Sequence, residues 1–318
     1  ALMAAFAFSL FAFGREYSWK RLLAAPFKTV FIRHVGVFSS PTAVVDAIGI
    51  AFRRADIIAL SLFTPDAVVG IYYGVQNVAT LVQKTRHLFD PMLAPVVSQT
   101  LNRRGNAGAS EQLAQVCRWI FTLLCLQLAL LAFYGAPLLS VIGPGFAAGA
   151  LALVILLGAE AIEGTLASAE LPLVFKKPWL NLALTATGFS VHVLGLSLLV
   201  PRFEMVGAGL SFLIAIALLN AARLVAVWKV FRIRLLEAAY LKPVLAGAGA
   251  FLALFYAGSY VNLASPWLVP FGLALGLGSY AGLFMALKPT AADREFVAYL
   301  KARRTPAAPV VDKDFDRV

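Results

Sequence analysis

This chain reads as an all-α, polytopic membrane protein with eight transmembrane helices. Composition is the first ground: 61% of its 318 residues are hydrophobic and 14% are charged, whereas a soluble domain carries about 25% charged residues. Length is the second. Apolar runs of about 20 residues or more, enough for a helix to cross the hydrocarbon core, recur at 43–63, 70–101, 117–139, 149–171, 179–200, 205–228, 242–262 and 267–287. The third is an alternation of charge. Lys and Arg gather in every second connection: Arg15, Lys20, Arg21, Lys28 and Arg33; Arg103, Arg104 and Arg118; Lys176 and Lys177; Lys229, Arg232, Arg234 and Lys242; and the tail from Lys288 to Arg317. The intervening connections hold only Arg202. Positively charged loops stay in the cytoplasm, so the connector before the first span and the C-terminus are both expected there.

Taken in order, Ala1 to Phe13 is an apolar run too short to span and without the basic start of a signal peptide. It is expected to be the end of a helix whose beginning is missing. Residues 14–42 form a basic connector whose Tyr17, Trp19 and Phe27 suit the headgroup surface. Residues 43–228 then hold six spans, 229–287 two more, and 288–318, with Pro306 and Pro309, a solvated cytoplasmic tail. The outer loops, 64–69, 140–148, 201–204 and 262–266, are all short. That argues against a membrane glycan polymerase, which needs extramembrane surface for its chemistry. Cys117 and Cys125 lie on one helix, about 12 Å apart along its axis, too far for a disulfide. The net charge of +11 is spread between spans rather than gathered in one patch, so it reports topology and not nucleic-acid binding. No metal-ligand cluster, phosphate-binding glycine loop or nucleophile elbow is present, and neither an enzyme activity nor a cofactor is expected.

The first two spans carry charge where lipid does not tolerate it: Asp46, Arg53, Arg54, Asp56, Lys84, Arg86, His87 and Asp90. Ionisable groups at membrane depth cost at least a few kcal/mol and persist where they face a bundle interior or a wet cavity. On a helical projection Asp46, Gly49, Arg53 and Asp56 share one face, with Arg54 beside it. Gln76, Thr80, Gln83, His87 and Asp90 form a second seam, flanked by Lys84 and Arg86. Joined by the turn at Phe63-Thr64-Pro65-Asp66, the two seams would meet around one cavity. The structural alternative is that Arg53 and Asp56 neutralise each other at i, i+3, that Lys84 and Arg86 snorkel toward the surface, and that Pro91 and Pro95 break the helix.

Glu160, Glu163 and Glu170 lie close to one stripe of the fourth span. Glu160 and Glu163 are either a proton or cation coupling site, since burial disfavours a charged carboxylate, or helix-contact hydrogen-bonding groups. Asn181, Thr185, Ser190 and His192 suit interhelical hydrogen bonds. Arg223 is expected to snorkel toward the cytoplasm.

Several stretches resemble a known family. Ala55-Asp56-Ile57-Ile58 to Leu62, Val69-Gly70-Ile71-Tyr72 and Pro95-Val96-Val97-Ser98 resemble the seventh and eighth helices of polysaccharide flippases in the multidrug/oligosaccharidyl-lipid/polysaccharide exporter (MOP, MATE-like) superfamily. Pro137-Leu138-Leu139 with Gly143 and Phe146 resembles the turn after the ninth. Lys177-Pro178 through Asn181, then Leu199-Val200-Pro201-Arg202 and Val206-Gly207-Ala208, resemble the eleventh and twelfth. The resemblance runs in order over about residues 40 to 230. It implies the second six-helix lobe plus two extra helices of a fourteen-helix transporter, with the N-terminal lobe missing. It further implies alternating access that flips an undecaprenyl-diphosphate-linked oligosaccharide to the periplasmic leaflet, as in O-antigen, lipopolysaccharide or exopolysaccharide export. The lipid-linked oligosaccharide and membrane lipids would be its partners, with a proton or sodium ion for coupling and polysaccharide-assembly proteins alongside. Arg53, Arg54, Lys84, Arg86, His87 and Gln83 would form the substrate-binding cationic cavity, while Asp46, Asp56, Asp90, Glu160 and Glu163 would balance charge or couple ions. A multidrug or cation antiporter of the same superfamily is the alternative, kept open by Asp46, Asp56 and Asp90.

Overall fold

The structure, a computed structural model, describes residues 29–87, 105–233, 235, 238–265 and 267–287. Every regular element among them is helical: α1 (Thr29–Phe63), α2 (Asp66–His87), α3 (Gly105–Ile142), a 3-10 turn (Phe146–Gly149), α4 (Ala150–Leu166), a second 3-10 turn (Ala167–Ala169), α5 (Glu170–Lys176), α6 (Pro178–Phe231), a third 3-10 turn (Ala238–Tyr240), α7 (Leu241–Tyr260) and α8 (Val269–Ala286). Five stretches are long and apolar enough to cross a membrane, namely Ala114–Ile142, Phe146–Lys176, Pro178–Phe231, Leu241–Tyr260 and Val269–Ala286. Such a set is consistent with a multi-pass membrane protein. The expected first two spans are helical but are not among the five, because charged and amide side chains interrupt them.

The chain divides into two compact units, Ala1–Val44 and Val45–Val318. Of the first, residues 29–44 are described and are helical. Residues 29–42, read as part of the basic connector, form regular helix through Pro41, which removes one backbone donor without ending α1. The short remnant at 1–13, most of the connector, the segment 88–104 with Asp90, Pro91 and Pro95, and the tail at 288–318 lie outside the described residues.

The second unit is built around α4, which packs on α6, α3 and α2. Leu153, Leu156, Leu157 and Ala161 of α4, Leu60 of α1, Tyr72 and Val75 of α2, Leu124 of α3 and Phe212 and Leu219 of α6 lie in one buried cluster. The pair α7 and α8 rests on the far side of α3, where Ala246 and Ala250 meet Cys125 and Ala129, and Tyr280 donates to the Thr122 carbonyl at 2.7 Å. Cys117 and Cys125 are both buried free thiols. The link from α3 to α4 turns at Gly145, whose φ of 88° lies in the left-handed region that glycine alone enters at no steric cost.

Helix α6 folds back on itself. Its regular geometry fails at Glu204, where φ is 48° and ψ is −126°. The arms on either side run antiparallel: the Arg223 guanidinium bonds Thr185 at 3.1 Å, His192 bonds Ser211 at 3.0 Å, and a Cβ on Gly207 would fall on the Leu199 backbone. The turn expected at 201–204 is therefore a tight reversal, and two apolar arms of span length stand side by side within the second unit. Strain of this kind at a residue other than glycine costs about 1–3 kcal/mol and persists only where the surrounding packing over-determines it.

Candidate functional site

Polar side chains from α1, α2, α4, α5 and both arms of α6 meet inside the apolar bundle. At one end, Asp56 is 1% exposed and takes part in three hydrogen bonds. The Tyr72 hydroxyl donates to its Oδ2 at 2.7 Å, the Gln76 amide donates to the same oxygen at 3.2 Å, and His192 Nε2 lies 2.6 Å from its Oδ1. The imidazole is fully buried, stacked on Phe52 with ring centroids 4.7 Å apart, and edged by Phe212. The carboxylate is thus placed by a helix it meets only in the folded bundle.

Next along α4, Glu160 pairs with Arg53 at 2.8 Å. Glu163 accepts from the Asn220 amide at 2.6 Å. At the end nearest α5, Glu170 accepts from Asn181 at 2.8 Å and lies 3.2 Å from the Arg223 guanidinium. The acids on this stripe thus each meet a donor from another helix, as membrane interiors require of polar groups. The structural alternative, a pairing of Arg53 with Asp56, is not the one formed: a turn apart on α1, the two side chains reach different helices. Arg223 is also not a snorkelling residue. It is 3% exposed, because Glu170 and Thr185 bind it within the bundle. Asn181, Thr185 and His192 do bond across helices, whereas Ser190 is exposed and bonds the Ala186 carbonyl of its own helix.

Two cavities open beside this column. One, of about 350 Å³, is lined by Arg53, Arg54, Asp56, Gln76, Asn77, Thr80, Gln83 and Glu160 together with Tyr73 and apolar residues. The other, of about 450 Å³, is lined by Asp46, Gly49, Arg53, His87, Glu163, Glu170, Thr185 and Arg223 with apolar neighbours. Both include Ile50, Arg53 and Phe212. The polar faces read from α1 and α2 do turn toward shared space. Lys84, however, is exposed and lines neither cavity, since it lies off the seam of Gln76, Thr80 and Gln83. His87 lines the second cavity rather than the first. The Arg86 side chain and Asp90 lie outside the described residues.

Charge in the first cavity is more even than α1 and α2 alone suggest, because α4 contributes Glu160. Arg53 is tied to that acid and Asp56 to His192, Tyr72 and Gln76. Arg54 is exposed to the cavity, and no hydrogen bond or ion pair is formed by it among the described residues. Of the two guanidinium groups lining this cavity, Arg53 is paired with Glu160 and Arg54 has no ion-pair partner among the described residues. Sequence reasoning named Tyr72 only within a stretch of family resemblance, gave it no role, and did not name Ser211; the signal available for the network was His192, the one ionisable side chain in the span 179–200. No family model matches this sequence, and no curated protein matches it.

Proposed function

We propose that this protein is a transporter that flips an undecaprenyl-diphosphate-linked oligosaccharide across a bacterial inner membrane by alternating access. In this reading it crosses the membrane eight times, as a six-helix lobe of a MATE-like fold with two further helices, and its C-terminus is cytoplasmic. The observation that carries the proposal is Arg54, which forms no hydrogen bond or ion pair among the described residues and faces a cavity that Gln76, Asn77, Thr80 and Gln83 line beside the paired Arg53, Asp56 and Glu160. A guanidinium meets a diphosphate with directional, charge-assisted hydrogen bonds. Amides and hydroxyls offer both donors and acceptors to sugar hydroxyls without fixing one glycan. Arg53, held by Glu160, adds a second donor group at the same wall but brings no net charge. The resemblance to polysaccharide flippases supports the same reading.

Chromosomal variants with export normalised to membrane level are the test. Arg54→Gln should lower glycan export about tenfold or more, the effect of losing a hydrogen bond to a charged group. Asp46→Asn should leave it near normal. Asp46 faces the second cavity, and that acid favours a second reading, a cation antiporter. Normal export in Arg54→Gln together with lost drug resistance in Asp46→Asn would establish that alternative instead.

Orientation has its own test. Cysteines introduced as Asp66→Cys and Phe203→Cys should be labelled by a membrane-impermeant thiol reagent from the periplasm. Labelling only after the inner membrane is opened would reverse the topology.

A further inference from the structure

The hydrogen bonds around His192 count protons. Ser211 has one hydroxyl hydrogen, and its Oγ lies 2.8 Å from the His192 carbonyl oxygen, an acceptor only, and 3.0 Å from His192 Nδ1. The arrangement that satisfies both contacts has Ser211 donating to the carbonyl and accepting from Nδ1–H. On the other side of the ring, Nε2 lies 2.6 Å from Asp56 Oδ1, so a hydrogen sits between these atoms as well. Asp56 Oδ2 is already an acceptor for Tyr72 and Gln76. The pair therefore holds two hydrogens, one at each end of the imidazole. It is either an imidazolium facing a carboxylate or a neutral ring facing a carboxylic acid, and both forms are electrically neutral.

We propose that Asp56 and His192 form a proton-binding site, and that the helix arrangement seen here is its proton-loaded state. Removing that proton leaves one ring hydrogen for two bonds. One hydrogen bond must then be lost, either His192 to Asp56, His192 to Ser211, or, if the Ser211 hydroxyl turns to donate to Nδ1, its bond to the His192 carbonyl, and a carboxylate without a charged hydrogen-bond partner remains where both residues are at most 1% exposed. The contacts at stake join α1, both arms of α6 and, through Tyr72 and Gln76, α2. The proton has a route, because Asp56 also borders the 350 Å³ cavity. It leaves to water there and returns from it. The other charged or titratable groups that bond the pair or share its cavity are Tyr72 and Tyr73 on α2, Glu160 on α4, and Arg53 and Arg54 on α1. Glu160 is neutralised by Arg53, so it does not substitute for the lost proton. The sign follows from the count: this arrangement binds one more proton than the released one, so acid favours it and base disfavours it. The inference goes beyond the proposed cargo and holds for either transport reading.

The test is made on the full chain in lipid nanodiscs without any cargo. The chain has three histidines, His34, His87 and His192. The ring-nitrogen resonances of His192 are therefore identified by their loss in His192→Gln, and infrared spectroscopy reports a protonated carboxyl at Asp56 by a carbonyl band lost in Asp56→Asn. Two results support the site: an imidazolium with ionised Asp56, or a ring protonated at Nδ1 with a protonated Asp56. Raising the pH should convert either to a ring with a single hydrogen and an ionised Asp56. Ser211→Ala, which leaves the ion pair in place but removes the acceptor for Nδ1–H, should lower proton occupancy at a given pH. A neutral ring protonated only at Nε2 beside an ionised carboxylate, at acid and neutral pH alike, would overturn the proposal. So would an occupancy unchanged in Ser211→Ala.

Discussion

Asp56→Ala should destabilise the protein by about 3–5 kcal/mol, the cost of removing one partner from a buried ionic pair. Three hydrogen-bonding groups converge on this carboxyl, from Tyr72, Gln76 and His192. Alanine leaves all three facing apolar surroundings, and each buried unsatisfied group costs about 1–3 kcal/mol. These penalties do not simply add, since His192 can lose a hydrogen and Gln76, half-buried, can turn toward the cavity. Asp56→Asn is the informative comparison. Its amide oxygen still accepts, so it should lose less, about 1–3 kcal/mol. Both are read from unfolding in detergent or nanodiscs, followed by helical signal against temperature or denaturant. Equal stability of the alanine variant and the parent would mean that the three hydrogen bonds do not hold α1, α2 and α6 together.

Gly207→Val should disrupt the α6 hairpin. A Cβ at this position would lie 2.6 Å from the Leu199 carbonyl carbon and 3.0 Å from the Val200 nitrogen. The obstacle is backbone in the facing arm, which cannot swing away as a side chain can. Overpacking ordinarily costs about 1–3 kcal/mol, and a clash with backbone belongs at the upper end or above. Because the arms carry His192 and Ser211, forcing them apart should also break the Nδ1 contact and with it the polar column. Gly158→Ala on α4 is the control, since a Cβ there meets nothing within 4 Å. Alanine is favoured over glycine in a helix by about 1 kcal/mol, so this variant should be neutral or stabilised. Proteolysis of membrane-embedded protein, alongside thermal unfolding, distinguishes the two. A Gly207→Val protein as resistant as the parent would show that the arms do not close on this glycine.

Local pattern made part of the site legible in advance. The spacing of Asp46, Gly49, Arg53 and Asp56, and of Gln76, Thr80 and Gln83, assigns each set to a helix face, and those faces do border shared cavities. The turn near 201–204 was readable because two apolar runs flank Pro201, Arg202 and Glu204, and the glutamates of α4 were readable as a stripe. All of these follow from periodicities of 3.6 residues, which a single helix sets by itself.

Partner choice was not legible. Arg53 and Asp56 lie a turn apart, a spacing that also allows them to neutralise each other, yet Arg53 reaches Glu160, 107 residues away, and Asp56 reaches His192, 136 residues away. Arg223, which spacing sends to the surface, is enclosed by Glu170 and Thr185. Lys84 sits on the expected segment but turns away from both cavities. Helical periodicity decides which side chains share a face. The rotation of each helix about its own axis, and the neighbour it meets, are decided by packing across the bundle, where small residues such as Gly188, Gly195 and Gly207 let one arm of α6 close on the other. An ion pair or hydrogen bond inside the membrane is short-ranged and directional, so it forms with whichever group that packing brings within about 3 Å. The chain alone specified that charge would be buried in α1 and α4; the tertiary structure decided that Arg54 would be the cation left facing the cavity and that Asp56 would share a hydrogen with an imidazole.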